Sequence, residues 1–417
     1  MKNKHLFLIA VAFLLCGNAI AADKWTDHIK FYGFVRTYFA FDTRESHAGS
    51  DDFFYYLPKD IKTGTDGVDL MEYPSFRFAA LTSRLGLDVK GFTFNGYQLG
   101  GKIEADFNAG LTGNTGTAQF RLRQAYASIA KEGRIWKIGQ AWHPMAADLP
   151  DIFTLESGSP FGPFNRSPQV NFEWMTRTSD EWKMGLTAAA IWQMQYVSVG
   201  PEGSSANYIK YGCTPEFYLG YNLVGENSLV RVGADVLSIK PRKDDGLKKV
   251  SDRLTTFNAF VFAKEKIGDL TLKTKLTYAQ DGSHLNMVGG YGIYGYENGN
   301  QYYTPTQTLS IWVSAAYKIG NWQPQLFIGH IENMGTIEPV VSTPLATTFW
   351  GKNQVDALNY ATRIQPEVIY NLGKLQLGIE YMMTLAEYGK SNEYKVADTN
   401  LHVVANHRIQ AMVKFNF

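Results

Sequence analysis

The final eleven residues of the chain alternate between an apolar face and a mainly polar face. The apolar positions are Ile409, Ala411, Val413, Phe415 and Phe417. A repeat of two residues indicates a β-strand, whose successive side chains point to opposite faces. In a transmembrane barrel the apolar face meets lipid and the polar face meets a water-filled lumen. An amphipathic edge strand of a soluble protein is the alternative.

The same alternation recurs along the chain and predicts an all-β protein of about sixteen strands. In chain order these are residues 28–41, 76–90, 97–108, 120–130, 134–142, 169–178, 181–192, 215–223, 228–239, 253–265, 269–280, 306–318, 322–331, 357–370, 374–388 and 402–417. Most of these segments reach the roughly 9–11 residues that a tilted membrane strand needs. The parity of residues 76–78 disagrees with the rest of that strand, which indicates either a bulge or an error of frame there. Gln124 lies on the apolar side of its strand, which fits either a subunit interface or a local register change.

Short and long connections alternate between these strands. Tight glycine turns occur at residues 225–227, 267–269, 319–321 and 371–374, whereas residues 281–305 and 332–356 form long connections. A barrel with short periplasmic turns and long extracellular loops accounts for this regularity, and a soluble sandwich does not. Pro324 and Pro366 fall inside predicted strands, although a closed barrel has no free edge for them. We therefore expect them near strand ends or bulges, or expect boundaries displaced by a few residues.

The third long connection, residues 143–166, contains four prolines and cannot continue a strand or a helix. A barrel of sixteen strands encloses open water, so selective passage requires something that narrows the lumen. We expect this loop to fold inward opposite Arg121 and Arg123 and to create a transverse field there. An outward surface loop is the alternative.

Strand parity assigns charged side chains of both signs to the lumen. The cations are Arg36, Arg84, Lys102, Arg121, Arg123, Arg231, Lys273, Lys275, Arg363 and Arg408, and the acids are Asp88, Glu104, Asp106, Asp235, Glu367 and Glu380. The predicted pore constriction consists of Arg36, Arg84, Lys102, Glu104, Asp106, Arg121 and Arg123, with Asp148, Asp151, Glu156 and Arg166 of the third connection. The small excess of cations predicts a weak anion preference. A solvated face without a special role is the alternative for each residue.

Residues 1–22 have the form of a secretory signal peptide, with two lysines before a short apolar run and small residues after it. We expect cleavage after Ala21 or Ala22, which leaves residues 23–417 as a single outer-membrane barrel domain. Lipidation at Cys16 is the less suitable alternative, because a bulky leucine precedes it.

The composition limits the function further. Without the two lysines of the signal peptide, the 40 Lys and Arg residues fall to 38, against 39 Asp and Glu. This near-neutral balance argues against a nucleic-acid partner. Cys213 is then the only cysteine, so no internal disulfide can form. No other stretch reaches the roughly eighteen consecutive apolar residues of a membrane helix.

The motifs of enzymes and cofactor sites are missing or lack their context. Residues 290–295 match GxGxxG, but no helix is predicted after them, as a dinucleotide site requires. The histidines are scattered without HExxH spacing, and no GxSxG motif is present. We therefore predict no catalytic site, no cofactor and no metal.

Several short stretches carry a family resemblance. They are residues 83–86 (SRLG), 101–107 (GKIEADF), 120–126 (FRLRQAY), 138–142 (IGQAW) and 167–169 (SPQ), together with the terminal Phe417. These stretches resemble the corresponding strands of DcaP-like porins, within the general bacterial porin superfamily. The resemblance implies a trimeric, sixteen-stranded outer-membrane channel narrowed by its third loop. Such channels pass small hydrophilic solutes passively, and some members favour anions.

The resemblance also implies partners: outer-membrane lipid, the barrel-assembly machinery during insertion, small hydrophilic solutes and two further copies in a homotrimer, but no nucleic acid. The helical N-terminal extension of some members is not found, because residues 24–27 lead almost at once into the first strand. A passive porin is the leading hypothesis. Its rival is an adhesin or surface structural protein that acts through its long loops, and an energy-coupled transporter is disfavoured because no room remains for a plug.

Overall fold

The computed structural model describes residues 25–50, 52–108, 111–112, 117–341, 348–351 and 357–417. The predicted signal peptide, residues 1–22, lies outside the described residues. The predicted barrel is confirmed: sixteen antiparallel strands form a closed sheet, and several short strands lie outside it. No described helix is long and apolar enough to cross a membrane.

The barrel strands follow one another around the sheet in the order of the sequence. The first eight are β1 (Ile29–Asp42), β2 (Ser75–Ala79, continued by Arg84–Phe94), β3 (Tyr97–Asp106), β4 (Arg121–Lys131), β5 (Arg134–Trp142), β6 (Arg166–Arg177), β7 (Lys183–Ile191) and β8 (Glu216–Val224). The second eight are β9 (Ser228–Ile239), β10 (Leu254–Ile267), β11 (Leu270–Gln280), β12 (Asn300–Tyr317), β13 (Trp322–Thr336), β14 (Leu358–Leu372), β15 (Leu375–Ser391) and β16 (Ala397–Asn416).

The connections contain short elements of their own. The short strands are Ser46–Gly49, Phe54–Pro58, Leu111–Thr112, Thr117–Ala118, Gly290–Glu297 and Thr348–Trp350. One helical turn and a half, α1, covers Asn207–Gly212, and 3-10 turns cover Trp25–Asp27, Pro144–Ala146 and Gly282–Leu285.

The seam between β1 and β16 closes the barrel as the alternating pattern predicts. Residues 34–42 pair with residues 408–416, and main-chain hydrogen bonds of 3.1 and 3.3 Å join Gly33 to Phe417. The outward positions of β16 are Ile409, Ala411, Val413, Phe415 and Phe417. Phe417 exposes 49% of its surface, whereas the inward-facing Arg408 exposes 1%. The two faces of this strand therefore have the environments that their chemistry requires.

Two bulges explain where the alternation is irregular. Between Ser75–Ala79 and Arg84–Phe94, residues 80–83 of β2 lie opposite residues 35–37 of β1, so one residue is inserted. The predicted bulge is thus present, a few residues further along. A second register shift lies between β3 and β4, and it turns both Arg123 and its neighbour Gln124 into the interior. The inward position of Gln124 therefore results from this register change and not from a subunit interface.

The two prolines differ in how the sheet accommodates them. Pro324 lies near the start of β13, as expected. The expectation is wrong for Pro366, which lies in the interior of β14 and is paired with β13. On its other side, the ladder to β15 runs to Ile364 and resumes at Glu367 without a change of register. The barrel accepts this proline by omitting ladder bonds at one point, so no free edge is needed.

Several strands extend further than the sequence pattern indicates. β12 begins at Asn300 instead of residue 306, and its extension pairs with Gly290–Glu297, which was predicted to be loop. β6 begins at Arg166, which was assigned to the third connection. Glycine- and tyrosine-rich composition, and Pro168 within β6, hide the period of two in these stretches.

Candidate functional site

One side of the lumen carries a dense group of charges on β1–β4. Its arginines, which we call the arginine wall, are Arg36, Arg84, Arg121 and Arg123. Glu104 and Asp106 of β3 lie among them, because Arg84 and Arg121 are the register partners of Asp106 on the two neighbouring strands. Side chains on facing positions of adjacent strands point to the same side of the sheet.

The contacts within this group are short and directional. Arg121 donates two hydrogen bonds of 2.9 Å to the two oxygens of Asp106. Arg123 bridges both acids, at 2.7 Å from Glu104 and 2.9 Å from Asp106, and Arg84 lies 3.7 Å from Glu104. Three guanidinium groups therefore share two carboxylates, which leaves this side of the lumen with a local excess of positive charge.

Arg36, the fourth arginine of the wall, and Lys102 contact other residues instead of Glu104 and Asp106. Arg36 donates from Nε to the hydroxyl of Thr82 at 2.9 Å. Lys102 forms an ion pair with Asp88 at 2.9 Å and donates to the hydroxyl of Tyr32 at 2.9 Å. Lys102 is therefore neutralised locally, whereas Arg36 adds to the positive excess.

Arg166 has the most unusual environment of the predicted residues. Its side chain is fully buried, lies over the ring of Trp142 at 4.5 Å, and donates from Nε to Gln195 at 2.9 Å. Its Nη1 and Nη2 atoms have no hydrogen-bond partner among the described residues. Its register partner is Trp142 of β5, and β5 pairs on its other side with β4, which carries Arg121 and Arg123. The structure thus brings Arg166 to the arginine wall with two donor groups unused.

The loop between β5 and β6, residues 143–165 and hereafter loop 3, lies inside the barrel. Its acids pair with cations on the wall: Asp148 with Arg231 at 2.6 Å, Asp151 with Lys273 at 2.6 Å, and Glu156 with Arg363 at 3.3 Å. These partners lie on β9, β11 and β14, on the far side of the lumen from β4. Burial raises the pKa of Glu156, and the charge of Arg363 opposes that shift. The acids of loop 3 are therefore placed against the far wall instead of against Arg121 and Arg123.

The cations that contact loops 1 and 3 lie on β9, β11, β14 and β16, and we call them the anchor wall. They are Arg231, Lys273, Lys275, Arg363 and Arg408. Lys275 is fully buried and donates to the backbone carbonyl of Met145 in loop 3. The tip of loop 3 also contacts this side, since the backbone N–H of Phe153 donates to Glu367 at 3.2 Å. Cations of this wall hold the loop in place.

Arg363 fixes two loops at once. Besides Glu156, its guanidinium donates to the carbonyl of Ser159 in loop 3 at 3.3 Å and to the carbonyl of Tyr56 at 2.7 Å. Tyr56 belongs to the connection between β1 and the start of β2, residues 43–74 and hereafter loop 1. Loop 1 and loop 3 are thus joined through one buried side chain.

Loop 1 also enters the barrel, which the sequence analysis missed. Residues 53–57 are all at most 5% exposed, and Arg408 donates to the carbonyl of Asp52 at 2.7 Å while it pairs with Asp42. The available signal was the aromatic run FFYYL within an otherwise polar stretch. Such an aromatic run is normally buried in a folded protein. Here it is buried inside the lumen of the barrel.

Open space remains between loop 3 and strands β4–β9. A cavity of about 270 Å³ is lined by Tyr126 of β4, Lys137 of β5, Trp142, Asn222 of β8 and Arg231, among others. Its lining mixes charged, amide and aromatic groups. Space for small polar solutes therefore lies beside loop 3 on the side of β4–β9.

The histidines, scattered in the sequence, include two that meet in space. His143 Nε2 lies 2.7 Å from Glu216 Oε1, and His284 Nε2 lies 3.6 Å from Glu216 Oε2. Burial alone would lower the pKa of His284, but the neighbouring carboxylates, with Glu216 first, raise it to about 9. Sequence spacing could not reveal this contact, because loop 3 and residues 282–285 are adjacent only in the closed barrel.

A closed barrel with an apolar exterior, a charged lumen and an inward loop defines the porin class of outer-membrane channels. Residues 3–178, which include β1–β6, match the family model described as DcaP outer membrane protein. The resemblance noted in the sequence is thereby confirmed for the part of the chain in which it is strongest. A search of curated proteins finds no match.

Solved structures share the whole fold. The crystal structure of the outer membrane channel DcaP of Acinetobacter baumannii is similar with a TM-score of 0.66 and 19% identity, over 95% of this chain and 100% of that chain. The anion-selective porin from Comamonas acidovorans gives 0.53 and 11%, over 93% and 99%. The trimer form of OmpT of Vibrio cholerae gives 0.51 and 13%, over 93% and 99%. Together with the family match, these channels support an outer-membrane location and a porin-like fold.

Proposed function

We propose that this protein is a passive diffusion channel for small hydrophilic solutes, with a weak preference for anions. The observation that carries the preference is Arg166, a buried guanidinium whose Nη1 and Nη2 have no partner among the described residues. A buried cation without acceptors is costly. Because the guanidinium is buried, it acts through its field, which adds to that of the arginine wall and attracts a carboxylate or phosphate in the lumen.

The distribution of charge supports the same preference. The arginine wall retains an excess of cations over Glu104 and Asp106, and Arg166 adds one more. The acids of loop 3 do not compensate this excess, because their partners are the cations of the anchor wall. A solute that moves past β1–β6 therefore meets a net positive surface.

The same contacts support a narrowed route. Loop 3 covers the anchor wall, and residues 53–57 of loop 1 fill the adjacent interior. The proposed constriction has the arginine wall, Arg166, Lys102, Glu104 and Asp106 on one side and loop 3 on the other. Asp148, Asp151 and Glu156 then act by holding the loop, which differs from the field-forming role first expected of them.

Reversal potentials in a salt gradient across planar bilayers test the proposal. The purified protein should conduct in discrete steps and favour anions. Arg166→Gln should lower the anion-to-cation permeability ratio about threefold, because one charge about 6 Å away in water contributes roughly 0.7 kcal/mol. Arg177→Gln, at an exposed turn, is the matched control and should leave the ratio unchanged. A wild-type preference for cations would refute the anion preference.

The same bilayer recordings distinguish a porin from an adhesin. A barrel that acts only through its surface loops has no need to conduct, so a folded protein without conductance would favour it over a porin. Deletion of residues 150–163 adds a second criterion. A porin narrowed by loop 3 should become more conductive or less selective, whereas an adhesin should not.

The remaining assignments concern processing and assembly. We propose DcaP-type identity for the whole chain, removal of residues 1–22 after Ala21 or Ala22, insertion by the barrel-assembly machinery and a homotrimer in outer-membrane lipid. The family match over residues 3–178 and the trimer form of a solved relative support these steps. N-terminal sequencing and mass measurement of the detergent-solubilised protein test them, and a monomer with an intact N-terminus would contradict them.

A further inference from the structure

Four buried titratable side chains lie outside the proposed solute route, and we call them the histidine cluster. They are His143, Glu216, Asp235 and His284. Each is at most 1% exposed. His143 is the first residue of loop 3, Glu216 begins β8, Asp235 lies on β9, and His284 lies in the 3-10 turn after β11. Four separate segments thus bring nitrogen and oxygen donors to one dry point.

The donors are close enough to share one ion. One donor atom from each of His143, Glu216 and Asp235 lies within 4.8 Å of the others, and His284 Nε2 lies 3.6 Å from Glu216 Oε2. Zinc bonds of about 2.0–2.2 Å in a tetrahedron place the ligand atoms about 3.4 Å apart. The donors of His143, Glu216 and Asp235 would contract slightly to reach that spacing, and His284, which lies outside this group of three, would move towards the ion to complete the tetrahedron.

Unused atoms in the cluster point to a missing partner. Both ring nitrogens of His284 and the Oδ2 atom of Asp235 have no hydrogen-bond partner among the described residues. Asn258 holds the other oxygen of Asp235 at 2.7 Å, as an outer-shell group commonly holds a ligating carboxylate. Two adjacent carboxylates in a dry interior also require a cation or a shared proton.

We propose that the histidine cluster binds one divalent transition-metal ion of the zinc class, through His143, His284, Glu216 and Asp235. Two neutral imidazoles and two carboxylates balance the charge of a dication. Imidazole donors suit zinc and similar ions, whereas calcium and magnesium prefer sites made only of oxygen. The ion ties the base of loop 3 to β8, to β9 and to the turn that holds His284.

A hydrogen bond to His143 predicts which of the ligands contributes least to the affinity for the metal ion. The backbone N–H of Met145 donates to His143 Nδ1 at 3.2 Å, so His143 carries its proton on Nε2 when no ion is bound. Metal binding through Nε2 moves that proton to Nδ1 and gives up this hydrogen bond. His284 has no such bond to lose among the described residues. His143 is therefore the weakest ligand, and its loss should lower the affinity less than the loss of His284.

Metal content of the refolded barrel tests the site. The full chain is refolded in metal-free buffer with or without Zn²⁺, because a buried site is filled most readily before the barrel closes. It is then freed of excess ion and assayed by elemental analysis. We expect one zinc per chain, an affinity at least about tenfold lower in His284→Gln and Asp235→Asn, and a smaller loss in His143→Gln. Bound Co²⁺ should show the visible absorption of a tetrahedral site.

A surface pair supplies the matched control. His402 Nε2 lies 2.6 Å from Asp60 on the exterior, so His402→Gln removes an accessible His–Asp pair and should leave the zinc content unchanged. Wild-type protein that retains no zinc would overturn the proposal, and so would unchanged binding in His284→Gln or loss of binding in His402→Gln. If the cluster variants fail to fold, the wild-type zinc content and Co²⁺ spectrum decide the question alone.

Discussion

The two sides of the lumen carry similar residues in different environments. On the arginine wall, the side chains of Arg84 and Arg121 remain 21% and 17% exposed. On the anchor wall, Arg231 and Lys273 are similarly exposed, at 22% and 17%, but pair with acids of loop 3. Arg363 and Arg408 are fully or almost fully buried and bond to backbone carbonyls of loops 1 and 3. Strand parity placed all of these cations correctly in the interior. It could not distinguish cations that face the solute from cations that hold the loops.

The largest expected effect is on the anchor wall. Arg363→Met should release loops 1 and 3 together, because the three hydrogen bonds from the guanidinium to these loops are lost and Glu156 is left as a buried unpaired charge. Breaking a buried pair from one side typically costs about 3–5 kcal/mol. Denaturant unfolding should show the loss, and single-channel recordings should show larger, noisier openings. Arg177→Met is the control at an exposed turn, and unchanged conductance in Arg363→Met would show that the loops are held by other contacts.

A smaller effect is expected when the arginine wall is altered. Arg121→Gln with Arg123→Gln removes two charges that face the route, and each contributes about a threefold change at about 6 Å in water. The anion-to-cation permeability ratio should therefore fall about tenfold, as measured by reversal potential. The double lysine variant keeps both charges and should stay near the wild type. A shift of equal size in the lysine variant would mean that geometry, not charge, sets the selectivity.

A substitution in loop 3 should change the anion-to-cation permeability ratio in the opposite direction. Asp148→Asn leaves Arg231 without its carboxylate partner, so a cation of the anchor wall becomes available to the cavity that it lines. The permeability ratio should rise in favour of anions by at most about threefold. Asp180→Asn, fully exposed at the β6–β7 turn, is the matched control. A fall in the ratio would contradict the division between the two walls.

The smallest effect is expected outside both walls. Arg134 and Glu132 form an exposed ion pair of 3.7 Å at the turn between β4 and β5. Exposed pairs contribute little, about 0–1 kcal/mol, since water and salt screen them. Arg134→Gln should therefore change neither the unfolding midpoint nor the reversal potential measurably. A clear shift in selectivity would extend the functional surface to the barrel rim.

The barrel itself was predictable because its physical signal is local. A period of two with apolar and polar faces requires only neighbouring residues, as in β5 and β9, whose boundaries match the prediction. The bulges at residues 80–83 and at Gln124 interrupt that period, yet they left a visible change of parity. Pro366 was harder to place, because nothing in the sequence shows that a closed ladder can omit bonds at one position.

The interior contacts could not be predicted, because they join residues that are distant in the sequence. The pairing of Glu156 with Arg363 and the burial of residues 53–57 depend on where the loops fall once the barrel closes. The meeting of His143 and His284 at Glu216 has the same origin. Strand parity predicts only whether a residue faces in or out, and partner choice across the lumen requires the closed ring.

The hydrogen bonds between Gly33 and Phe417 also set the timing of folding. β1 obtains its second neighbour only when β16 has been made and exported. Until then β1 has one unpaired edge, and an unpaired edge cannot remain in hydrocarbon. Completion of this protein is therefore an event of the whole chain, with the longest possible loop to close.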